Sequence, residues 1–122
     1  SGELEAVKRL LAWGVDPDTA DPYGMTLVSI ASLHGHAPVV EHLLRAGAQV
    51  SVPEVVNGYT ALILAAAHGH ADVVRLLIAH GADVNAETAG GESALSWAER
   101  RRDRGEGFVA VIALLTASGA KG

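Results

Sequence analysis

Apolar residues recur along the chain in pairs at matched offsets. Ala6-Val7 with Leu10-Leu11, Val39-Val40 with Leu43-Leu44, Val73-Val74 with Leu77-Ile78, and Val111-Ile112 with Leu115 occupy equivalent places. Positions i, i+1, i+4 and i+5 form one stripe on an α-helix, so each run predicts an amphipathic helix of about three turns. Gly2, Gly35, Gly69 and Gly107 precede these runs, and Gly14, Gly47, Gly81 and Gly119 follow them, twelve residues later each time. The closing glycines lie 33, 34 and 38 residues apart. A period of that size marks a repeat architecture, in which each unit buries its apolar face on its neighbours.

A third glycine series, Gly24, Gly58 and Gly91, is followed two residues later by Thr26, Thr60 and Ser93. Each hydroxyl predicts the N-cap of a shorter helix rich in Ala, Ile, Leu and Val, because its oxygen can accept a hydrogen bond from the unpaired N–H groups of the first turn. The connecting segments 16–23, 50–57 and 83–90 hold Pro, Asp, Asn and Gly, the residues of turns. Each unit is therefore turn, helix, tight glycine loop, helix.

On these residues the chain resembles the ankyrin repeat family. The segment GYTALILAAAHGHADVVRLLIAHGADVNA, Gly58 to Ala86, is similar to the family pattern almost position for position. The resemblance implies an all-α solenoid of helix-turn-helix repeats with hairpin-like connections, filling one domain over 1–122. That domain divides into a half repeat (1–20), two full repeats (21–53 and 54–86) and a modified terminal repeat (87–122). Where the family carries Thr-Pro-Leu-His, this chain has Thr26-Leu27-Val28-Ser29, Thr60-Ala61-Leu62-Ile63 and Ser93-Ala94-Leu95-Ser96. Loss of the Pro and His each time predicts lower stability than a consensus array.

Two insertions stand out. One extra residue between Gly47 and Gly58 enlarges the hairpin, expected around Val52-Pro53-Glu54, and should make it protrude. Five extra residues between Gly91 and Gly107 lengthen the helix or loop at Arg100 to Glu106. A terminal repeat tolerates such change because nothing packs on its outer side. Thr116, Ser118 and Lys121 replace apolar residues there, as expected of a terminus or linker.

Composition narrows the classes. Without cysteine there is no disulfide framework, no thiolate zinc site and no sulfur redox chemistry. The longest uncharged stretch, 55–71, is broken by Asn, Gly and His, so no membrane span is expected. Nine Lys and Arg against 14 Asp and Glu give a net charge of −5, unlike a general nucleic-acid binder. The start lacks a secretory leader and a methionine, which favours an intracellular, cytoplasmic or nuclear setting and a place within a longer protein.

Candidate chemistry is sparse. His34-Gly-His36 and His68-Gly-His70 suggest metal ligation, but they sit one repeat apart, roughly 10 Å, too far for one ion with ligands at about 2 Å. The Gly-His turns also resemble the family pattern, so structural histidines are the preferred reading. No nucleophile elbow, His-Glu-x-x-His stretch or phosphate loop is present, and no enzymatic activity or cofactor is expected. The run Arg100 to Arg104 could pair with carboxylates or phosphates, although Glu99, Asp103 and Glu106 can neutralise it.

In the proteins this chain resembles, hairpin tips and first helices line a concave groove that holds a partner protein or peptide. Carried over, the partner-binding positions are Trp13, Tyr23, Met25, Leu33, His34, Asn57, Tyr59, His68, His80, Arg100 and Arg101. In a chain with only 4% aromatic residues, their concentration at these positions points to an interface. A basic or methylated peptide bound by the aromatics is a narrower form of the same reading. The stripe Leu4, Val7 and Leu11 would be half covered at the N-terminal edge. Two copies packing there would give a weak homodimer, the alternative being a monomer.

Overall fold

The computed structural model describes residues 2–120, with side-chain surroundings from Leu4 onward; Lys121 lies outside the described residues. The helices are α1 (Gly2–Ala12), α2 (Leu27–Leu33), α3 (Ala37–Arg45), α4 (Ala61–Ala67), α5 (Ala71–Ala79), α6 (Ala94–Arg100) and α7 (Glu106–Ala117), with a 3₁₀ turn at Arg102–Arg104. Among the described residues extended pairing is limited to isolated antiparallel bridges, Ala20 with Thr26 and Glu87 with Ser93. The inner helices α2, α4 and α6 stack on one another, the outer helices α1, α3, α5 and α7 form a second layer, and each inner helix from α2 onward packs on the outer helix that follows it.

The inner helices are short because both ends are fixed. Thr26, Thr60 and Ser93 accept from the backbone N–H of Ser29, Ile63 and Ser96 at 3.1, 3.3 and 3.2 Å. Gly35 and Gly69 then reverse α2 and α4 at φ of +74° and +71°, a left-handed conformation that other L-residues rarely adopt. The family's His is replaced without an unsatisfied group. Ser29 bonds the Thr26 hydroxyl, Ser96 completes a capping box with Ser93, and Ile63 joins the core.

The apolar pairs fill the core. Val39, Val40, Leu43, Leu44, Val73, Val74, Leu77, Val111 and Leu115 are buried, as are Ala65, Ala66 and Ala98, whose small side chains let the inner helices approach closely. The five-residue insertion leaves α6 at seven residues and forms the 3₁₀ turn.

The hairpin insertion falls elsewhere than expected. Asp21, Glu54 and Thr88 each lie seven residues after the preceding helix-closing glycine, so the stem through Val52 and Pro53 has ordinary length. The extra residue lies in the tip beyond Glu54. Asp21 N–H bonds Met25 O and Thr88 N–H bonds Glu92 O, whereas Glu54 N–H reaches one residue further, to Tyr59 O. Val55 and Val56 are carried outward by this wider tip.

Candidate functional site

Counting from the hairpin glycines gives the inner face in register. Met25, Tyr59 and Glu92 stand one residue on, Ile30, Leu64 and Trp97 six, Leu33, Ala67 and Arg100 nine, and His34, His68 and Arg101 ten. Their densest cluster is at the C-terminal end. The Tyr59 and Trp97 rings are 6.3 Å apart at 47°, and the Arg100 and Arg101 guanidinium carbons lie 5.3 and 4.9 Å from the Trp97 ring centre. Both cations are within reach of the ring's negative face.

Each guanidinium is also anchored elsewhere. Arg100 donates to Glu92 at 2.6 Å, and Arg101 donates to the Ala67 carbonyl, at the end of α4, at 2.7 Å. That carbonyl is among those a helix leaves unpaired at its C-terminus, so Arg101 joins two repeats. The Trp97 indole nitrogen is buried without an acceptor among the described residues. Trp97 is a groove residue that sequence reasoning missed. Its register, shared with Ile30 and Leu64, was the signal that could have found it.

The histidines divide by role. His70 Nε2 donates to Leu33 O at 3.0 Å, closing α2 as Arg101 closes α4, and its ring lies where a side chain at Gly35 would fall. His68 Nδ1 donates to Leu64 O at 2.9 Å, leaving its ring exposed at the groove end. Among the described residues no group of three or more His, Asp or Glu side chains is arranged to hold a metal ion.

The remaining positions are spread out. Tyr23 and Asn57 are exposed at the hairpin tips, and His34 is exposed at the end of α2. Met25 and Leu33 are half-buried, as are Tyr59 and Arg101. Trp13 and His80, both exposed, close the outer helices α1 and α5 and are not part of the inner-helix row.

The hairpins that frame this face are tied by backbone and carboxylate. Val55 N–H bonds Tyr23 O and Ala89 N–H bonds Asn57 O, both at 2.8 Å. The buried Glu54 carboxylate accepts from the N–H of Val56 and Asn57 at 2.7 Å and of Tyr59 at 3.2 Å. Burial pushes its pKa upward, but the N–H groups of Tyr59, Val56, Asn57 and Gly58 outweigh that effect and hold it below the usual glutamate value. Asp21 and Thr88 perform the same task in the narrower tips, Asp21 accepting from Tyr23 and Met25 N–H, Thr88 from Gly90 and Glu92 N–H. The longer glutamate suits the wider turn.

An open apolar cleft of about 230 Å³, bounded by Val7, Ile30, Val39 and Leu43, lies where the next inner helix of the stack would stand before α2. No helix among the described residues is long and apolar enough to cross a membrane.

The model of a family described as ankyrin repeats (3 copies) matches residues 1–88 and 29–121. The ankyrin repeat protein YahD of Escherichia coli (strain K12) is 40% identical over 50 residues, which cover 41% of this chain and 25% of that protein. The aligned segment thus spans about a quarter of the relative's length. With capped inner helices, left-handed glycine turns and a two-layer stack all in the same register as this match, the chain belongs to the ankyrin repeat family.

Proposed function

We propose that this chain is a non-catalytic interaction module that holds a partner protein or peptide along its inner-helix and hairpin face. Ankyrin repeats generally serve as protein–protein interaction modules and are typically non-catalytic. The observation that carries the reading here is the Tyr59–Trp97 pair with Arg100 and Arg101 over one indole. Tyr, Trp and Arg are enriched among the residues that dominate binding energy at interface centres, where they bury large contact areas. The two arginines are already held by Glu92 and the Ala67 carbonyl, so a partner meets a preformed surface and spends little ordering it.

The test is affinity capture from cell extract by the wild-type chain and by Tyr59→Ala/His68→Ala/Arg100→Ala, with the fold of both checked by circular dichroism. A protein retained by the wild type and lost by the variant is expected. Equal capture by both would contradict the reading.

Self-association through the N-terminal edge is the second reading, favoured by the open cleft beside Ile30. A concentration-dependent dimer in sedimentation, abolished by Ile30→Lys, would support it. A monomer at all concentrations would remove it.

A further inference from the structure

We propose that the hairpin edge of the array docks a basic, amphipathic segment of a partner protein. The proposal rests on the reading of the chain as an interaction module and adds the chemistry of what it binds. Besides Trp13 (77%) at the end of α1, the most exposed large apolar side chains among the described residues are Val55 (77%), Tyr23 (64%) and Val56 (63%), and these three lie on this edge. Leu10, Ile30 and Val109, on the helices, are exposed by no more than 48%. Trp13 closes α1 at the base of the first hairpin, while Tyr23, Val55 and Val56 form neighbouring tips. Those tips are in register, since Val55 N–H bonds Tyr23 O and the Val55 side chain lies 2.8 Å from where a Gly24 Cβ would be. Isolated exposed apolar residues are ordinary, but Tyr23, Val55 and Val56 on adjoining tips form a surface that monomers rarely leave unused.

Charge selects the occupant. Segments 14–26, 47–60 and 81–93 contain seven of the 14 acidic residues and not one Lys, Arg or His. The other seven acids share the rest of the chain with all nine Lys and Arg. Asp16, Asp21, Asp83 and Glu87 are exposed in these segments, so the edge combines apolar contact area with a one-signed field. A partner carrying Lys or Arg among apolar residues satisfies both. A second copy docking through the same patch would set carboxylates against carboxylates, because a two-fold interface apposes identical surfaces. Nucleic acid and anionic membrane meet the same repulsion.

The experiment is fluorescence anisotropy of the full chain with three short labelled peptides of equal length, alternating Lys-Leu, Glu-Leu and Lys-Ser. The Lys-Leu peptide is expected to bind best, to weaken about tenfold or more from low to high salt, and to leave Glu-Leu without measurable affinity. Tyr23→Ser/Val55→Ser/Val56→Ser, which changes only exposed side chains, is expected to weaken Lys-Leu binding about tenfold. Val109→Ser, away from the edge, is expected to retain it. Binding unchanged in the triple variant, or Glu-Leu bound as well as Lys-Leu, would overturn the inference. Loss only with Tyr59→Ala/His68→Ala would overturn it while leaving the inner-face reading intact. A dimer in sedimentation that the triple variant abolishes would assign the edge to a second copy and overturn it too. If the peptides do not bind but inner-face variants still lose a captured partner, the edge inference alone falls; if neither binds, the module reading falls with it.

Discussion

Leu10 and Leu115 occupy the same register, eight residues after a helix-opening glycine, yet Leu10 is 39% exposed and Leu115 is fully buried. The difference lies in what stands beside each outer helix. At the C-terminal end α6 packs on α7, and Phe108 covers Gly69. At the N-terminal end α1 contacts α3, no inner helix precedes α1 among the described residues, and the apolar cleft lies open beside Ile30. In a solenoid each unit is stabilised by its nearest neighbours, so identical side chains contribute differently according to whether both neighbours are present.

The largest expected effect is at the closed end. Leu115→Ala should cost about 2–5 kcal/mol through lost burial and an unfilled cavity, whereas Leu10→Ala should cost less than about 1 kcal/mol because water already reaches the site. Paired urea titrations check this contrast, and equal losses would refute it. Gly107→Ala comes next. An added Cβ would collide with the Gly69 backbone carbonyl, which a rigid turn cannot relieve cheaply, and a loss of about 1–3 kcal/mol is expected in thermal unfolding.

Glu54→Gln acts between the two ends. Its amide replaces one acceptor oxygen with a donor facing a backbone N–H, and about 1 kcal/mol or more of stability should be lost at neutral pH. Because the folded-state pKa of Glu54 is lowered, its contribution is present above the unfolded glutamate value of about 4.3 and is lost as pH falls through the folded value. The difference between wild type and Glu54→Gln should therefore shrink on acidification; a difference that is constant from neutral to strongly acidic pH would contradict the assignment. Smallest of all is Ile30→Lys at the open end, expected within about 0.5 kcal/mol of wild type by the same titration.

Much of this was legible in the sequence because the repeat supplies its own register. Glycine spacing located the turns, hydroxyls two residues beyond Gly24, Gly58 and Gly91 located the caps, and the apolar pairs marked the buried stripe. The unread parts depend on contacts between repeats. Trp97 gains its role from Tyr59, 38 positions earlier, and from two arginines after it. Arg101 was expected at the partner-binding face within a run of four arginines, yet its guanidinium also closes α4 through the Ala67 carbonyl. The enlarged hairpin was expected around Val52-Pro53-Glu54, and the extra residue falls just beyond, in the tip whose turn the buried Glu54 sets.

The proposed module requires an inner face that exists before any partner arrives. Native-state hydrogen exchange on the isolated chain tests it most directly. A preformed face requires slow exchange in α4, α5 and α6, including the amides around Trp97, and the fastest helical exchange in α1 beside the open cleft. Amides of α6 exchanging as fast as an unfolded chain would contradict it, because Tyr59, Trp97 and the two arginines could not then form a preformed surface.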